Sequence, residues 1–133
     1  LPISTEETGA SASKVAAYPA VRKVLLQKQK DFRQLPGLVA DGRDMGTVVF
    51  SDADFKVYLT ASAKERGDRR FKQLKEKGID ANLDKITQEI MLRDRRDSER
   101  KTAPLIPAED AFYLDSSDIS IAEVINQVMI LTE

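Results

Sequence analysis

One stretch, Gly37–Phe50 (GLVADGRDMGTVVF), constrains this chain more than any other. An apolar run, Leu38-Val39-Ala40, stops abruptly at Asp41-Gly42-Arg43-Asp44, and Gly46 comes soon after. A short apolar run bounded by Pro36-Gly37 on one side and glycine on the other reads as a buried strand. Open α/β sheets bind their ligands at the carboxyl ends of such strands. A strand ending in Asp-Gly-Arg-Asp therefore predicts charge where a fold of this class keeps its chemistry.

The neighbouring segments fit an α/β reading. Residues 1–10, with Pro2, Gly9 and a Glu6-Glu7 pair, read as irregular, and the alanine-rich Ser11–Tyr18 as a short helix. Pro19 suits the first turn of a second helix. There Val21, Val24, Leu25 and Phe32 recur at helical spacing, and Pro36-Gly37 ends the helix. After the turn Ser51-Asp52-Ala53-Asp54, apolar and polar residues alternate from Phe55 to Thr60 as in a strand. Ser62 can cap a helix from Ala63 to about Lys77 that Gly78 stops. Asn82 can cap another from Leu83 to about Arg100. Ala111–Leu114 reads as a third strand, ending at Asp115-Ser116-Ser117. Ser120 and Glu123 form a capping box, with Ile119 and Val124 as its staple, for a last helix from Ile121 toward Leu131. Strands alternating with helices predict a parallel sheet with helical crossovers. Three recognisable strands are few for such a sheet, and strands of this composition want cover on both faces. A further N-terminal segment is therefore expected.

Histidine and cysteine are both absent. That removes disulfides and thiolate metal sites, together with the commonest general base and metal ligand. Carboxylates, arginine, lysine and hydroxyls remain. Phosphoryl transfer suits that inventory, because it depends mainly on positioning and charge neutralisation. With 21 basic and 22 acidic residues the net charge is −1, which gives no global pull toward nucleic acid or a membrane. No apolar run approaches the roughly 20 residues that span a bilayer and no signal peptide is visible, so a cytoplasmic location is expected.

Local charge is less even. In the helix from Leu83, the stripe Leu83, Ile86, Ile90 continues into Arg93, Asp97 and Arg100, so one face turns from apolar to Arg-Asp-Arg. If that face points inward, Asp97 pairs with Arg93 one turn earlier. At least one arginine then seeks an anion, and its planar fork matches a phosphate. If the face points outward, it is a solvated charged surface. Arg66, Arg69 and Arg70 form one cationic patch on the preceding helix. It reads either as a surface partly neutralised by Glu65 and Asp68, or as part of a mobile helical hairpin that places arginines over transferring phosphates. At the strand end, Asp41 is the candidate Mg2+ carboxylate, acting through water, because that ion keeps waters and takes few protein carboxylates. Gly42 admits close backbone approach, Arg43 can take a phosphate, and Asp44 can accept from an exocyclic amine. The competing reading is a turn with self-capped aspartates.

Three blocks together carry a resemblance: ADGRDMGTVVF with the strand ADFKVYLTAS behind it, QEIMLRDRRDSERKTAPL, and LDSSDISIAEVI. Over nearly the whole chain they resemble bacterial cytidylate (CMP) kinases. The resemblance implies a P-loop nucleoside monophosphate kinase fold. It implies transfer of the ATP γ-phosphate to the 5′-phosphate of CMP or dCMP, with ATP as co-substrate and Mg2+ as cofactor. The complete enzyme would be a monomer without nucleic-acid or membrane partners. The chain would divide into a monophosphate-binding insert with its adjoining helix (1–35), a core (36–62 and 101–133) and a lid region with the arginine-rich helix (63–100). Ser13, Arg22 and Asp44 would contact the base, and Arg43 and Arg93 would grip the monophosphate as catalytic groups. Asp97 would read the sugar hydroxyls and Arg100 would add a phosphate-side contact. Arg69 and Arg70 would be catalytic from the lid over ATP. Ser13 and Arg22 are singled out by the resemblance alone; by themselves they are a small polar helix residue and a surface arginine.

One departure is large. The phosphate-binding loop G-x-x-x-x-G-K-[ST] does not occur in the 133 residues, and the chain opens on Leu1. The expectation is the C-terminal part of such a kinase, unable alone to phosphorylate CMP. Its N-terminal portion would accompany it, or it would self-associate through uncovered strand edges. Two readings from other classes stand beside this one. One is a non-catalytic module that holds a pyrimidine monophosphate. The other is an RNA-binding helical module on Arg66–Arg100, disfavoured by sparse aromatics and a net charge near zero.

Overall fold

The computed structural model describes residues 5–133, so the expectation for Pro2 lies outside the described residues. The chain forms two compact units. One comprises the chain up to Ala53 together with Leu92–Ile106, the other Asp54–Met91 together with Pro107–Glu133.

In the first unit, the Thr5 hydroxyl accepts the Thr8 amide at 3.1 Å and opens helix α1 (Glu6–Val15). Residues 6–10 are thus helical rather than irregular, and the helix ends at Val15 rather than Tyr18. The reason is the cap, reinforced by Glu6 and Glu7 in the first turn, where carboxylates favour the helix dipole. Together they outweigh the roughly 1 kcal/mol that Gly9 costs inside a helix.

Helix α2 (Pro19–Asp31) starts on Pro19 as expected, but closes at Phe32, before Pro36-Gly37. Its stripe Val21, Val24, Leu25, Phe32 is not a core face: Val24, Leu25 and Phe32 are exposed, and α2 has no buried residue. The half-buried positions are Val21, Arg22, Leu26 and Gln29, a mixed face selected by the ion pair that Arg22 makes with Asp44.

Leu38-Val39-Ala40 is not a buried strand. The run has no ladder partner among the described residues, and Val39 is 99% exposed. Apolar composition meets the local requirement of a strand but cannot supply the neighbour whose amides and carbonyls complete it. The chain instead enters a π-helical turn, Met45–Val49, in which the Val49 and Phe50 amides reach back to the Asp44 and Met45 carbonyls at 3.2 and 2.7 Å. The turn buries Val49 and Phe50 as the apolar core of this unit. Such turns occur frequently at functional sites, and this one begins directly after Asp44.

The second unit holds two strands, β1 (Val57–Thr60) and β2 (Phe112–Asp115), paired in parallel from Val57–Phe112 to Thr60–Asp115. Two of the three expected strands are present, at the expected places and in the expected sense. Tyr58 and Tyr113 stack at 5.6 Å. Leu114 is buried, while Leu59, Phe112 and Tyr113 are exposed.

Helix α3 (Ala63–Glu76) is capped by Ser62, whose hydroxyl accepts the Glu65 amide at 3.1 Å. It ends in a Schellman motif: the Ile79 amide reaches Leu74 and the Gly78 amide reaches Lys75. Gly78 takes the required positive φ of 71°. Asn82 caps α4 (Leu83–Glu99) by accepting the Lys85 amide, and Ser120 caps α5 (Ile121–Leu131) by accepting the Glu123 amide. Ala61, Leu74, Ile86 and Leu114 form the buried apolar set of this unit. Among the described residues no helix is long and apolar enough to cross a membrane.

Helices α3 and α4 approach at Gly67, where a Cβ would lie 2.2 Å from Thr87 Oγ1. Overpacking of this kind costs about 1–3 kcal/mol, against about 1 kcal/mol gained in helix propensity. Gly67→Ala is therefore expected to destabilise the protein by about 1 kcal/mol. Combining it with Thr87→Ala should restore the midpoint in a urea titration. A stabilised single variant would show that the helices separate freely.

Candidate functional site

The stripe Leu83, Ile86, Ile90 leads to a charged centre toward the C-terminal end of α4. Asp97 is 0% exposed. It accepts a hydrogen bond from the Ser13 hydroxyl of α1 and ion-pairs with Arg43 of the Asp-Gly-Arg-Asp loop. Arg100 Nη1 lies 3.4 Å and Arg93 Nε 3.7 Å from its carboxylate. Arg43 also approaches Asp94 at 3.7 Å. On α2, Arg22 ion-pairs with the buried Asp44 and donates to the Ala16 carbonyl at 3.0 Å. Arg93 lies against α1 at Gly9, where a Cβ would stand 2.8 Å from its Nη1, so only a residue without a side chain leaves the guanidinium its place.

These groups surround a cavity of about 390 Å3. Its lining includes the charged groups of Arg22, Arg43, Arg93 and Arg100 with Asp44 and Asp97. Ala12 and Val15 of α1 and Val21 and Leu25 of α2 add apolar lining. Four guanidiniums face two carboxylates, leaving a surplus of positive charge. Burial, and then the charge of Arg100, press the Arg22 guanidinium below its usual range, opposed by Asp97. Burial, and then Arg43, do the same to Arg93, opposed by Asp97, Glu6 and Asp94. Arginine stays charged throughout, so the crowding appears as positive potential in a partly dry cavity. Asp97 Oδ2 and the Nε atoms of Arg43 and Arg93 are buried without aligned hydrogen bonds, so they attract by charge alone. A ligand offering an anion, a hydroxyl and a flat apolar ring answers every part of this wall.

The structure therefore brings together Ser13, Arg22, Arg43, Asp44, Arg93, Asp97 and Arg100. Asp97 and the Arg100 side chain point inward with Arg93 half-buried beside them, and Arg22 is half-buried rather than a surface arginine. Arg69 and Arg70 belong to the other unit. There Arg69 donates from Nε to Glu65 at 3.0 Å, and from Nη1 and Nη2 to the hydroxyl and carbonyl of Ser116 at 3.2 and 2.6 Å. Arg70 reaches Gln73 at 3.4 Å. Asp41 is exposed, and no three potential metal ligands gather among the described residues. Sequence reasoning alone missed Asp94 and Gly9. A glycine inside a helical segment is itself a signal of close approach, and Asp94 lies in the same Arg-Asp-rich run as Asp97.

A model of the family described as cytidylate kinase matches residues 2–133. The cytidylate kinase of Colwellia psychrerythraea is 61% identical over 127 residues, covering 96% of this chain and 56% of that protein. That of Methylococcus capsulatus is 64% identical over 123 residues, covering 92% and 55%. That of Stutzerimonas stutzeri is 59% identical over 127 residues, covering 96% and 56%. The chain spans about half the length of the curated relatives it matches.

Proposed function

The chain belongs to the cytidylate kinase family, a family of nucleoside monophosphate kinases, and from that premise we propose that it supplies the monophosphate site for phosphorylation of CMP or dCMP by ATP. The observation that carries this reading is the excess of guanidiniums over carboxylates, four to two, around a cavity that also has apolar lining. The parallel strand pair with its flanking helices is compatible with the P-loop nucleoside monophosphate kinase fold that the family implies.

In the proposed reaction an oxygen of the CMP 5′-phosphate attacks the γ-phosphorus of ATP in line. The bond from that phosphorus to the β-phosphate oxygen breaks, and ADP leaves with the electron pair. Arg43, Arg93 and Arg100 hold the acceptor phosphate and offset the charge that develops on the transferring group. Asp97 accepts from the sugar hydroxyls. Asp44 accepts from the cytosine amine while Arg22 and Ser13 serve the ring acceptors. Arg69 and Arg70 act on the triphosphate side. Asp41 would hold Mg2+ through water, and the ion would neutralise triphosphate charge there. The phosphate-loop motif is not among these 133 residues, so this chain alone is expected to bind CMP without turning it over. A cytoplasmic, monomeric complete enzyme belongs to the same proposal.

A coupled ADP-release assay tests it. CMP-dependent release is expected from the complete kinase and none from this chain by itself. Turnover by the chain alone would contradict the division of labour, and no turnover of CMP by the complete kinase would overturn the reading. Base recognition has its own test. A charge-assisted hydrogen bond contributes about 1.5–3 kcal/mol. Asp44→Ala in the complete kinase should therefore raise the KM for CMP about 10- to 100-fold and leave that for ATP within about twofold. Equal loss of both substrates would remove Asp44 from the base site.

A further inference from the structure

Ala103 is the only non-glycine among the described residues with a positive φ, 46°. The left-handed region is unfavourable for any residue with a Cβ. Ala103 also precedes Pro104, which pushes its predecessor toward extended backbone instead. Such strain persists only where surrounding contacts over-determine it, and it concentrates at functional sites.

The contacts here are specific. The Ala103 carbonyl accepts Arg100 Nε at 2.7 Å, the Leu105 amide donates to the Asp97 carbonyl at 2.8 Å, and Arg100 Nη1 stands 3.4 Å from the Asp97 carboxylate. The loop after α4 thus folds back over the helix end and clasps Asp97 of α4 and Arg100 just past its end, which meet in the cavity. The Arg100 side chain is 6% exposed, so the carbonyl fixes a guanidinium that has little water to compete for it.

We infer that Ala103 is a positioning residue: its left-handed backbone turns a carbonyl onto Arg100 and holds that guanidinium beside Asp97, aimed at the anion of the ligand. The inference rests on the reading of the cavity as a nucleoside monophosphate site, and it adds a residue that contacts no substrate. A long arginine without this restraint would lose rotamer freedom on every binding event; one already held loses little.

The test has a part that needs no ligand. Exchange of arginine Nε–H groups, monitored by NMR on the unaltered protein, is expected to be at least about tenfold slower at Arg100 than at the exposed Arg95. Equal rates overturn the inference whether or not CMP binds. The second part is a cycle of CMP dissociation constants. Ala103→Val, whose branched side chain opposes positive φ, should weaken CMP about tenfold. Ala103→Gly, which tolerates it, should bind within about twofold of wild type. Ala103→Val combined with Arg100→Ala should be no weaker than Arg100→Ala alone. Additive losses, or wild-type affinity in Ala103→Val, overturn the inference. If wild type itself does not bind CMP, the monophosphate reading fails and the exchange rates alone decide the positioning role.

Discussion

Replacing Asp97 with alanine is expected to cost about 3–5 kcal/mol of folding free energy, the usual penalty for removing one partner of a buried charge cluster. Asp97 is fully buried and meets Ser13, Arg43, Arg93 and Arg100. Without it, those guanidiniums crowd the cavity with only partial compensation from Asp44, Glu6 and the half-buried Asp94. Asp97→Asn keeps an oxygen for the Ser13 hydroxyl and should recover part of the loss. The measurement is equilibrium urea denaturation of both variants. A cost below about 1 kcal/mol, the range of exposed ion pairs, would mean that water rather than Asp97 neutralises the arginines. Where the alanine variant remains folded, CMP and dCMP should be affected unequally, since the two differ in the sugar hydroxyls that Asp97 is proposed to read.

Arg93→Ala is expected to do the opposite. Its guanidinium is one of the surplus positive charges, already depressed by burial and by Arg43. Deleting it relieves repulsion while losing one arm of a shared carboxylate, so stability should change by less than about 1 kcal/mol. Function should suffer far more. A preorganised charge contact to the transferring group is worth about 2–4 kcal/mol in the transition state. In the complete kinase, kcat/KM for CMP should therefore fall between about 30- and 1000-fold. A value within twofold of wild type would leave Arg93 a structural partner of Asp97 and nothing more. Asp97→Ala and Arg93→Ala thus separate what holds the cavity together from what the cavity is for.

Much of this arrangement is legible in the sequence because it is written in local chemistry. Pro19, Ser62, Gly78, Asn82 and Ser120 mark helix boundaries by satisfying or releasing backbone groups, and each does so in the structure. The change of the α4 face from Ile86 to Asp97 is visible as an unbroken helical period. Leu38-Val39-Ala40 misleads because a strand requires two paired segments, and the local sequence shows only one. The inward face of α2 misleads for a related reason. Its orientation is set by the Arg22–Asp44 pair, two residues far apart in sequence, rather than by its most apolar stripe. Ser13 and Arg22 have no local signal of their own. Ser13 becomes distinctive only when α1 brings its hydroxyl to Asp97. The strain at Ala103 is equally invisible, since nothing in Lys101-Thr102-Ala103-Pro104 demands a positive φ.

The central claim is that the arginine-lined cavity recognises a nucleoside through its 5′-phosphate. Calorimetric titration of this chain with CMP and with cytidine, at matched ionic strength, tests it most directly. Two charge-assisted contacts at about 1.5 kcal/mol each separate the ligands by about 100-fold. CMP is therefore predicted to bind at least about 100-fold more tightly than cytidine, with the difference largely abolished in the Arg43→Ala, Arg93→Ala, Arg100→Ala triple variant. Equal affinity for CMP and cytidine, or a phosphate preference that survives loss of all three arginines, would contradict the account.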